Sequence, residues 1–306
     1  KPKYYLGVGS GTHAEQTAKI MIEFEKVLLN EKPDLIIVVG DVNSTIACSL
    51  VAKKMGIKIA HVEAGLRSFD MEMPEEINRI LTDRISDYLF VTEQSGLVNL
   101  KKEGVDDNKV YFVGNTMIDS LIYYQSKISQ SNILNELNLK KQEYILVTLH
   151  RPSNVDTRSS LEKLIKFLNR LAEESKVVFP IHPRTKSNLE KNELVQSFNP
   201  TVILTHPFGY IDFQALIKNA VLVITDSGGI QEETTYLGVQ CITLRTTTER
   251  PSTIEIGTNQ LIGVELQKAE KACLYVLSGN KKEGKIPEKW DGRAAERITK
   301  LIADKL

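Results

Sequence analysis

The sequence has almost no cysteine. Cys48, Cys241 and Cys273 are far apart and odd in number, which argues against both a disulfide framework and a paired-cysteine zinc site. Such usage fits a reducing cytoplasm. The chain also lacks an excess of either charge, with 39 Lys plus Arg against 39 Asp plus Glu. No basic block, aromatic RNA-binding run or zinc-finger spacing marks a polyanion surface, so nucleic acid is not expected as a partner. No apolar run reaches about 18 residues, the length a membrane-spanning helix needs. The opening KPKYYLGVGSG lacks the layout of a signal peptide. A soluble, cytoplasmic protein without a membrane partner is the expectation. Close internal repeats and low-complexity segments are missing as well.

What the chain does have is length and rhythm. At 306 residues it exceeds the size at which single cores usually split, so two domains are expected. Short apolar runs recur at YYLGVG (4–9), DLIIVVGD (34–41), IKIAHVEAG (57–65), YLFVTE (88–93) and VYFVGN (110–115), with helix-period segments between most of them. In the first such segment Ile20, Phe24 and Leu28, with Ile22, Val27 and Leu29, form a broad apolar face. The polar stretch 125–143 reads as a domain junction. Alternation resumes with YILVTLHR (144–151), KVVFPIHP (176–183), TVILTHP (201–207), AVLVITDSGG (220–229) and VQCITLR (239–245). Each half therefore reads as a doubly wound α/β domain around a parallel sheet covered on both faces. The boundaries are 1–126 and 143–290, with a last helix over 291–306.

In open parallel sheets, ligands bind outside the carboxyl ends of the strands, so the residues just after each apolar run are the first candidates. They are unusually polar: Asp41, Glu63, His150 and Arg151, His182 and Arg184, His206, and Asp226. Each alone fits a helix cap or a loop hydrogen bond. The set, drawn from both halves, converges on one crevice if the two sheets face each other.

In TDSGGIQEETTYLG (225–238) a strand stops at Asp226, and Ser227, Gly228 and Gly229 turn without side-chain obstruction. A helix follows whose free amides and positive dipole end suit a diphosphate. Glu233, one turn further in, is placed to accept hydrogen bonds from a ribose diol. By contrast, GVGSG (7–11) lacks the final glycine of a dinucleotide fingerprint. In RTTTERP (245–251), Arg245, Glu249 and Arg250 supply either exposed loop salt bridges or positive charge for a phosphorylated sugar.

Charge is densest in HVEAGLRSFDMEMPEEINRILTD (61–83). Pro74 opens a helix on which Glu75 and Arg79, four apart, share a face. Surface pairing accounts for Glu76 and Asp83. It does not account for a strand-end Glu63, followed by the tight Ala64-Gly65 and a short polar loop into that helix. Two carboxylates held close in a partly dry cleft have their proton affinities driven apart, giving one acid and one base.

Together, GDVNST (40–45), HVEAGLRS (61–68), PEEINR (74–79), GNTMID (114–119), TLHRPSN (148–154), TDSGGIQEE (225–233) and TTERP (247–251) resemble, in this order, the non-hydrolysing UDP-N-acetylglucosamine 2-epimerases. The resemblance implies a two-domain GT-B architecture with the active site in the cleft and the final helix packing back on the first domain. It implies a homodimer that interconverts UDP-N-acetylglucosamine and UDP-N-acetylmannosamine, by elimination of UDP to a 2-acetamidoglucal and re-addition, with neither metal nor nicotinamide cofactor. By the same resemblance Asp41, Glu63 and Glu75 are the essential carboxylates, Arg79 the catalytic-site arginine and His150 the histidine near the diphosphate. Phe213 is the uracil-side aromatic, Ser227, Gly228 and Gly229 the diphosphate loop and Glu233 the ribose acid. Arg151, His182 and Arg250 complete the substrate-binding set.

Two departures stand out. The chain starts downstream of the family's first strand and its GTRPE-type loop, so a longer natural protein is expected. GTHAEQT (11–17) keeps His13 but lacks the glutamines with which some members hold an activating second substrate. TLHRPSN and HPRT (182–185) are also similar to a branch acting on UDP-2,3-diacetamido sugars. A GT-B glycosyltransferase, a hydrolysing epimerase and a nucleotide-sugar sensor are the rival functions.

Overall fold

The computed structural model describes residues 2–305, the side chains of residues 152 and 153 excepted. The outermost positions of the expected first domain, Lys1 and Leu306, lie outside the described residues. The chain divides into two compact units, residues 1–116 with 293–306, and residues 117–292.

The first unit contains α1 (His13–Glu31), β1 (Leu35–Val39), α2 (Asn43–Lys54), β2 (Lys58–Ala64), α3 (Pro74–Ile85), β3 (Tyr88–Val91), α4 (Gln94–Lys102) and β4 (Val110–Phe112). Its sheet is parallel, in the order β1-β2-β3-β4. Leu28, Val51 and Ala52 from α1 and α2 pack with Ile36, Val38 and Ile59. A second cluster joins Ala60, Val62, Phe90 and Val113 to Ile298, which lies in the last helix, Ala294–Lys305.

Two expectations fail here. The run 4–9 forms no strand among the described residues: Gly7 turns into the left-handed region at φ 66°, and Tyr5 is 90% exposed. Apolar composition alone does not make a strand, which needs a neighbour to complete its hydrogen bonds. The broad apolar face of α1 is also narrower than its sequence suggests, because Ile20 and Leu28 are buried while Ile22 and Leu29 are exposed.

The second unit begins with α5 (Thr116–Tyr123), α6 (Gln125–Ser129) and α7 (Ile133–Glu136). Its sheet is built from β5 (Tyr144–Thr148), β6 (Lys176–Pro180), β7 (Val202–Thr205), β8 (Leu222–Thr225), β9 (Gln240–Thr243) and β10 (Asn259–Leu261). Between them run α8 (Pro152–Val155), α9 (Arg158–Ala172), α10 (Pro183–Lys191), α11 (Tyr210–Asn219), α12 (Gly228–Leu237) and α13 (Pro251–Glu255). Then come α14 (Leu266–Leu277) and, back in the first unit, α15 (Ala294–Lys305). The order β7-β6-β5-β8-β9-β10 is parallel throughout. It reverses direction between β5 and β8, the position where doubly wound sheets open a ligand crevice.

The border between units falls at 116/117, ahead of the 125–143 stretch that reads as a junction. That stretch buries Ile128, Ile133 and Leu139, and Ser131 Oγ donates to Asp212 on α11 at 2.6 Å. Its polar look hides an apolar residue about every fifth position. β10 escapes sequence reading because its anchor is polar. The buried Asn259 accepts from Thr243 Oγ1 at 2.7 Å and donates to Gln231 Oε1 at 3.0 Å.

Candidate active site

Asp41 follows β1 after a single glycine, and Glu63 is the penultimate residue of β2. At Glu63 the β2–β3 register shifts between Val62 and Ala64, and the backbone adopts φ 73°. A left-handed conformation at a non-glycine residue costs about 1–3 kcal/mol and persists only where the surroundings impose it. Gly65 supplies that constraint. Its N–H donates to Asp83 Oδ2 at 3.0 Å, and a Cβ there would sit 2.6 Å from the Gly96 carbonyl oxygen.

Helix α3 is amphipathic in an unusual sense. Its inward residues are Glu76, Arg79, Thr82 and Asp83, while Ile77 and Leu81 face solvent. The expectation of surface pairs at Glu76 and Asp83 is therefore overturned: both are almost fully buried. Glu76 Oε2 accepts from Ser68 N–H and Ser68 Oγ, both at 2.9 Å, and Oε1 accepts from Phe69 N–H at 2.9 Å. Asp83 binds His61 Nδ1 and Arg67 Nη1, each at 2.7 Å.

Arg79 is buried and donates to Asp41 and to Glu76, not to Glu75 as the spacing suggests. Both acids are helical neighbours of Arg79, and tertiary contacts select the one at i−3. Glu75 is half-buried in the first turn of α3, where the free amides favour a carboxylate. The sequence signal for the missed residues, Glu76 and Asp83, is their i, i+3, i+7 spacing with Arg79, which places all three on one helix face.

In the second unit the strand-end residues meet at the switch point. Asp226, after β8, accepts the backbone N–H of His150 at 3.0 Å and of Arg151 at 2.9 Å, both after β5, and Asn154 Nδ2 at 2.9 Å. His150 Nδ1 lies 3.1 Å from Asp226 Oδ1. Burial pushes the Asp226 carboxyl up, but His150 and these donors outweigh it and hold the group below its ordinary range. The His182 ring stands 6.0 Å from that of His150. His182 caps α10 by accepting from Arg184 N–H at 3.3 Å.

Ser227 is the N-cap of α12 but makes no side-chain cap, and Gly228 and Gly229 form the first turn. Both glycines sit in close quarters. A Cβ at Gly228 would lie 2.6 Å from Glu249 Oε1, and one at Gly229 would lie 2.7 Å from Met117 Cε. Arg250 is buried between Glu249 (Nη1 to Oε1, 2.8 Å) and Glu232 (Nε to Oε2, 2.9 Å), and Arg245 Nη2 reaches Glu249 at 2.7 Å. The loop salt bridges thus form a buried network behind the glycine turn.

Glu233 is buried in the second turn of α12, and burial lifts its carboxyl from 4.5 to about 7 against a hydrogen bond from Gln214. Gln214 and Phe213 both lie on α11, with Phe213 partly buried against the second unit's core. Among the described residues, no helix is long and apolar enough to cross a membrane, and no group of three His, Cys, Asp or Glu residues is placed to hold a metal ion.

The UDP-N-acetylglucosamine 2-epimerase family model matches residues 1–303. The UDP-N-acetylglucosamine 2-epimerase of Methanocaldococcus jannaschii is 46% identical over 310 residues, covering 98% of this chain and 84% of the relative. The crystal structure of that organism's enzyme in complex with UDP-GlcNAc and UDP superposes with a TM-score of 0.91 at 44% identity, covering 99% of this chain and 84% of the other. UDP-2,3-diacetamido-2,3-dideoxy-D-glucuronate 2-epimerase of Pseudomonas aeruginosa is 40% identical, covering 99% of this chain and 84% of the relative. With the family model matched across nearly the whole sequence, and with strand-end carboxylates, a switch point and a glycine turn built on the matched residues, this chain belongs to the UDP-N-acetylglucosamine 2-epimerase family.

Proposed function

We propose that the protein epimerises the C2 carbon of UDP-N-acetylglucosamine, giving UDP-N-acetylmannosamine. The observation that carries this reading is the pairing of two different strand-end sets in one chain. One is acidic and carries Asp41, Glu63 and Glu75 with Arg79. The other, at the β5/β8 switch point, offers helix amides, His150 and a buried Glu233 suited to a nucleoside diphosphate.

The C2 proton is adjacent to no carbonyl, so its removal needs a positioned base while the anomeric carbon loses UDP. One carboxylate takes the C2 proton as the C1–O bond breaks, with its electron pair leaving on the UDP oxygen, and a C1–C2 double bond forms. Return of a proton to the opposite face of C2 and of the UDP oxygen to C1 completes the reaction. Among Asp41, Glu63 and Glu75, one acts as base and another as acid. His150, Arg151 and the Gly228–Gly229 amides steady the departing diphosphate, with His182 and Arg250 alongside, while Phe213 and Glu233 hold the uridine. A cytoplasmic homodimer that feeds cell-envelope polysaccharide synthesis completes the reading.

Incubation with UDP-N-acetylglucosamine in deuterated water tests it. Deuterium at C2 and appearance of the manno isomer are expected; no deuterium at C2 would sink the proposal for that substrate. A second reading, a UDP-2,3-diacetamido sugar as substrate, draws on the 40% identity to the Pseudomonas enzyme. The same deuterium assay with that sugar separates the two. A glycosyltransferase would move the sugar to an acceptor without exchange at C2.

A further inference from the structure

The acidic strand ends rest on a buried charged cluster that the reaction itself does not use. His61 lies fully buried in the middle of β2, and both of its ring nitrogens face acceptors. Nδ1 is 2.7 Å from Asp83 Oδ1, and Nε2 is 2.8 Å from the Gly40 carbonyl. A carbonyl oxygen only accepts, so Nε2 carries a hydrogen. Asp83 Oδ2 already accepts Gly65 N–H at 3.0 Å and lies 2.7 Å from Arg67 Nη1, which holds Asp83 as a carboxylate. An ionised Asp83 donates nothing, so Nδ1 carries a hydrogen as well. The ring is an imidazolium.

The pair reaches every segment that bears a candidate acid. Gly40 immediately precedes Asp41, Gly65 follows Glu63 by two residues, and Asp83 lies on α3, the helix that carries Glu75 and Arg79. One chain of hydrogen bonds therefore ties all three acid-bearing segments together. We propose that His61 and Asp83 form a charged positioning dyad that fixes the Asp41 and Glu63 turns against the Glu75 helix, and so sets the spacing of the reacting carboxylates. This rests on the functional reading above.

The surroundings are consistent with a charged ring. Burial opposes the charge on His61, but Asp83 from α3, the Gly40 carbonyl and the nearby Glu63 outweigh it and raise its proton affinity. The cation nearest to the pair is Arg67, whose Nε is in turn neutralised by Glu103 at 2.7 Å. Buried ion pairs contribute little net stability compared with apolar residues of the same volume, so stability alone does not account for this pair. An apolar pair here would fill the space and leave both turns unpinned.

The test uses the whole chain and two readouts. In wild-type protein labelled with nitrogen-15 histidine, His61 is expected to show two slowly exchanging ring N–H groups at neutral pH. It is the one fully buried histidine among the described residues, which identifies its signals. For kinetics, His61→Asn keeps a donor toward Asp83 but falls short of Gly40, whereas His61→Gln reaches the Nε2 position. The first should lower kcat about 100-fold, the cost of a misplacement near 1 Å, with KM and UDP affinity little changed. The second keeps the Gly40 contact but gives up Asp83, so it should also lower kcat with KM little changed.

A neutral ring with a single N–H overturns the dyad, and this readout decides even if neither variant folds. Wild-type kcat in either variant overturns it too. A wild-type enzyme without C2 exchange would instead remove the functional reading, while the ring spectrum would still decide, by itself, whether the dyad is charged.

Discussion

The Asp226 carboxylate, just past β8, accepts the backbone N–H of His150, just past β5, at 3.0 Å. This bond spans the two strands that flank the switch point, so Asp226 sets the shape of the loop in which His150 and Arg151 stand. Asp226→Ala leaves both backbone amides and the Asn154 amide without their acceptor. These donors are only partly buried, so at about 1 kcal/mol each, the low end of the cost of an unpaired group, the variant should lose about 3 kcal/mol of stability. UDP binding should weaken as well. Urea melts and calorimetry check both, and an unaltered midpoint with unaltered UDP affinity would contradict the role.

Glu233 gives a pH dependence with a definite sign. Its carboxyl rises from 4.5 to about 7 on folding because it is buried, so the folded state holds a proton that the unfolded chain releases. Stability should therefore fall as pH climbs from 4.5 to about 7 and level off above that. The shift corresponds to about 3 kcal/mol. If the anion accepts the ribose hydroxyls, UDP binding runs the other way and tightens through the same window. Glu233→Gln should flatten both profiles. Wild-type UDP affinity that is independent of pH would remove the ribose role.

Glu63→Gln and Glu75→Gln should each cut turnover by about 100-fold or more while leaving UDP affinity nearly intact, as acid/base groups do. Deuterium exchange at C2 and calorimetry read the two effects separately. Affinity lost in step with turnover would argue for binding in place of proton transfer.

Glu76→Gln should behave differently from its neighbour Glu75→Gln. Glu76 is buried against Arg79, Ser68 and Phe69, and breaking a buried ion pair costs about 3–5 kcal/mol. Thermal melting should single out the Glu76 variant, and equal melting temperatures for the two would refute the distinction.

The two glycines of the α12 turn should not be equivalent. At Gly229 the obstructing atom is the end of the flexible Met117 side chain, which can swing aside. At Gly228 it is Glu249 Oε1, held by Arg245 and Arg250. Gly228→Ala should therefore lower stability and UDP affinity more than Gly229→Ala. The reverse order, seen by melting and calorimetry, would show that the buried network yields more easily than the methionine.

All the strands of the described residues but β10 are visible in the sequence, because each is built on a short apolar run, and runs such as ILVT and VLVIT have no competing reading; even β1 reads so, although Ile37 and Val39 leave one of its faces exposed. β10 is missed because Asn259 anchors it through polar bonds. The strand expected at 4–9 does not form because alternation and β-propensity say nothing about whether a neighbour is present. Among the candidate residues, Asp41, Glu63, His150 and Ser227 are legible as polar residues that interrupt apolar runs. Glu76 and Asp83 are not, because the rule that charged residues face water is inverted on α3. Likewise, the choice of Arg79 between Glu75 and Glu76 is made by Ser68 and Asp41, which lie far from it in the chain.

The helix Ala294–Lys305 covers Ala60, Val62 and Phe90 although more than 170 residues of the second unit are synthesised between them. A ribosome making this protein therefore releases the first sheet with one greasy side bare. It must stay so until the second unit has emerged, and that unit, being continuous, can fold first. Late in translation the first unit is the one at risk of sticking to other chains, so cutting off residues 293–305 should yield aggregates rather than a slightly weakened enzyme.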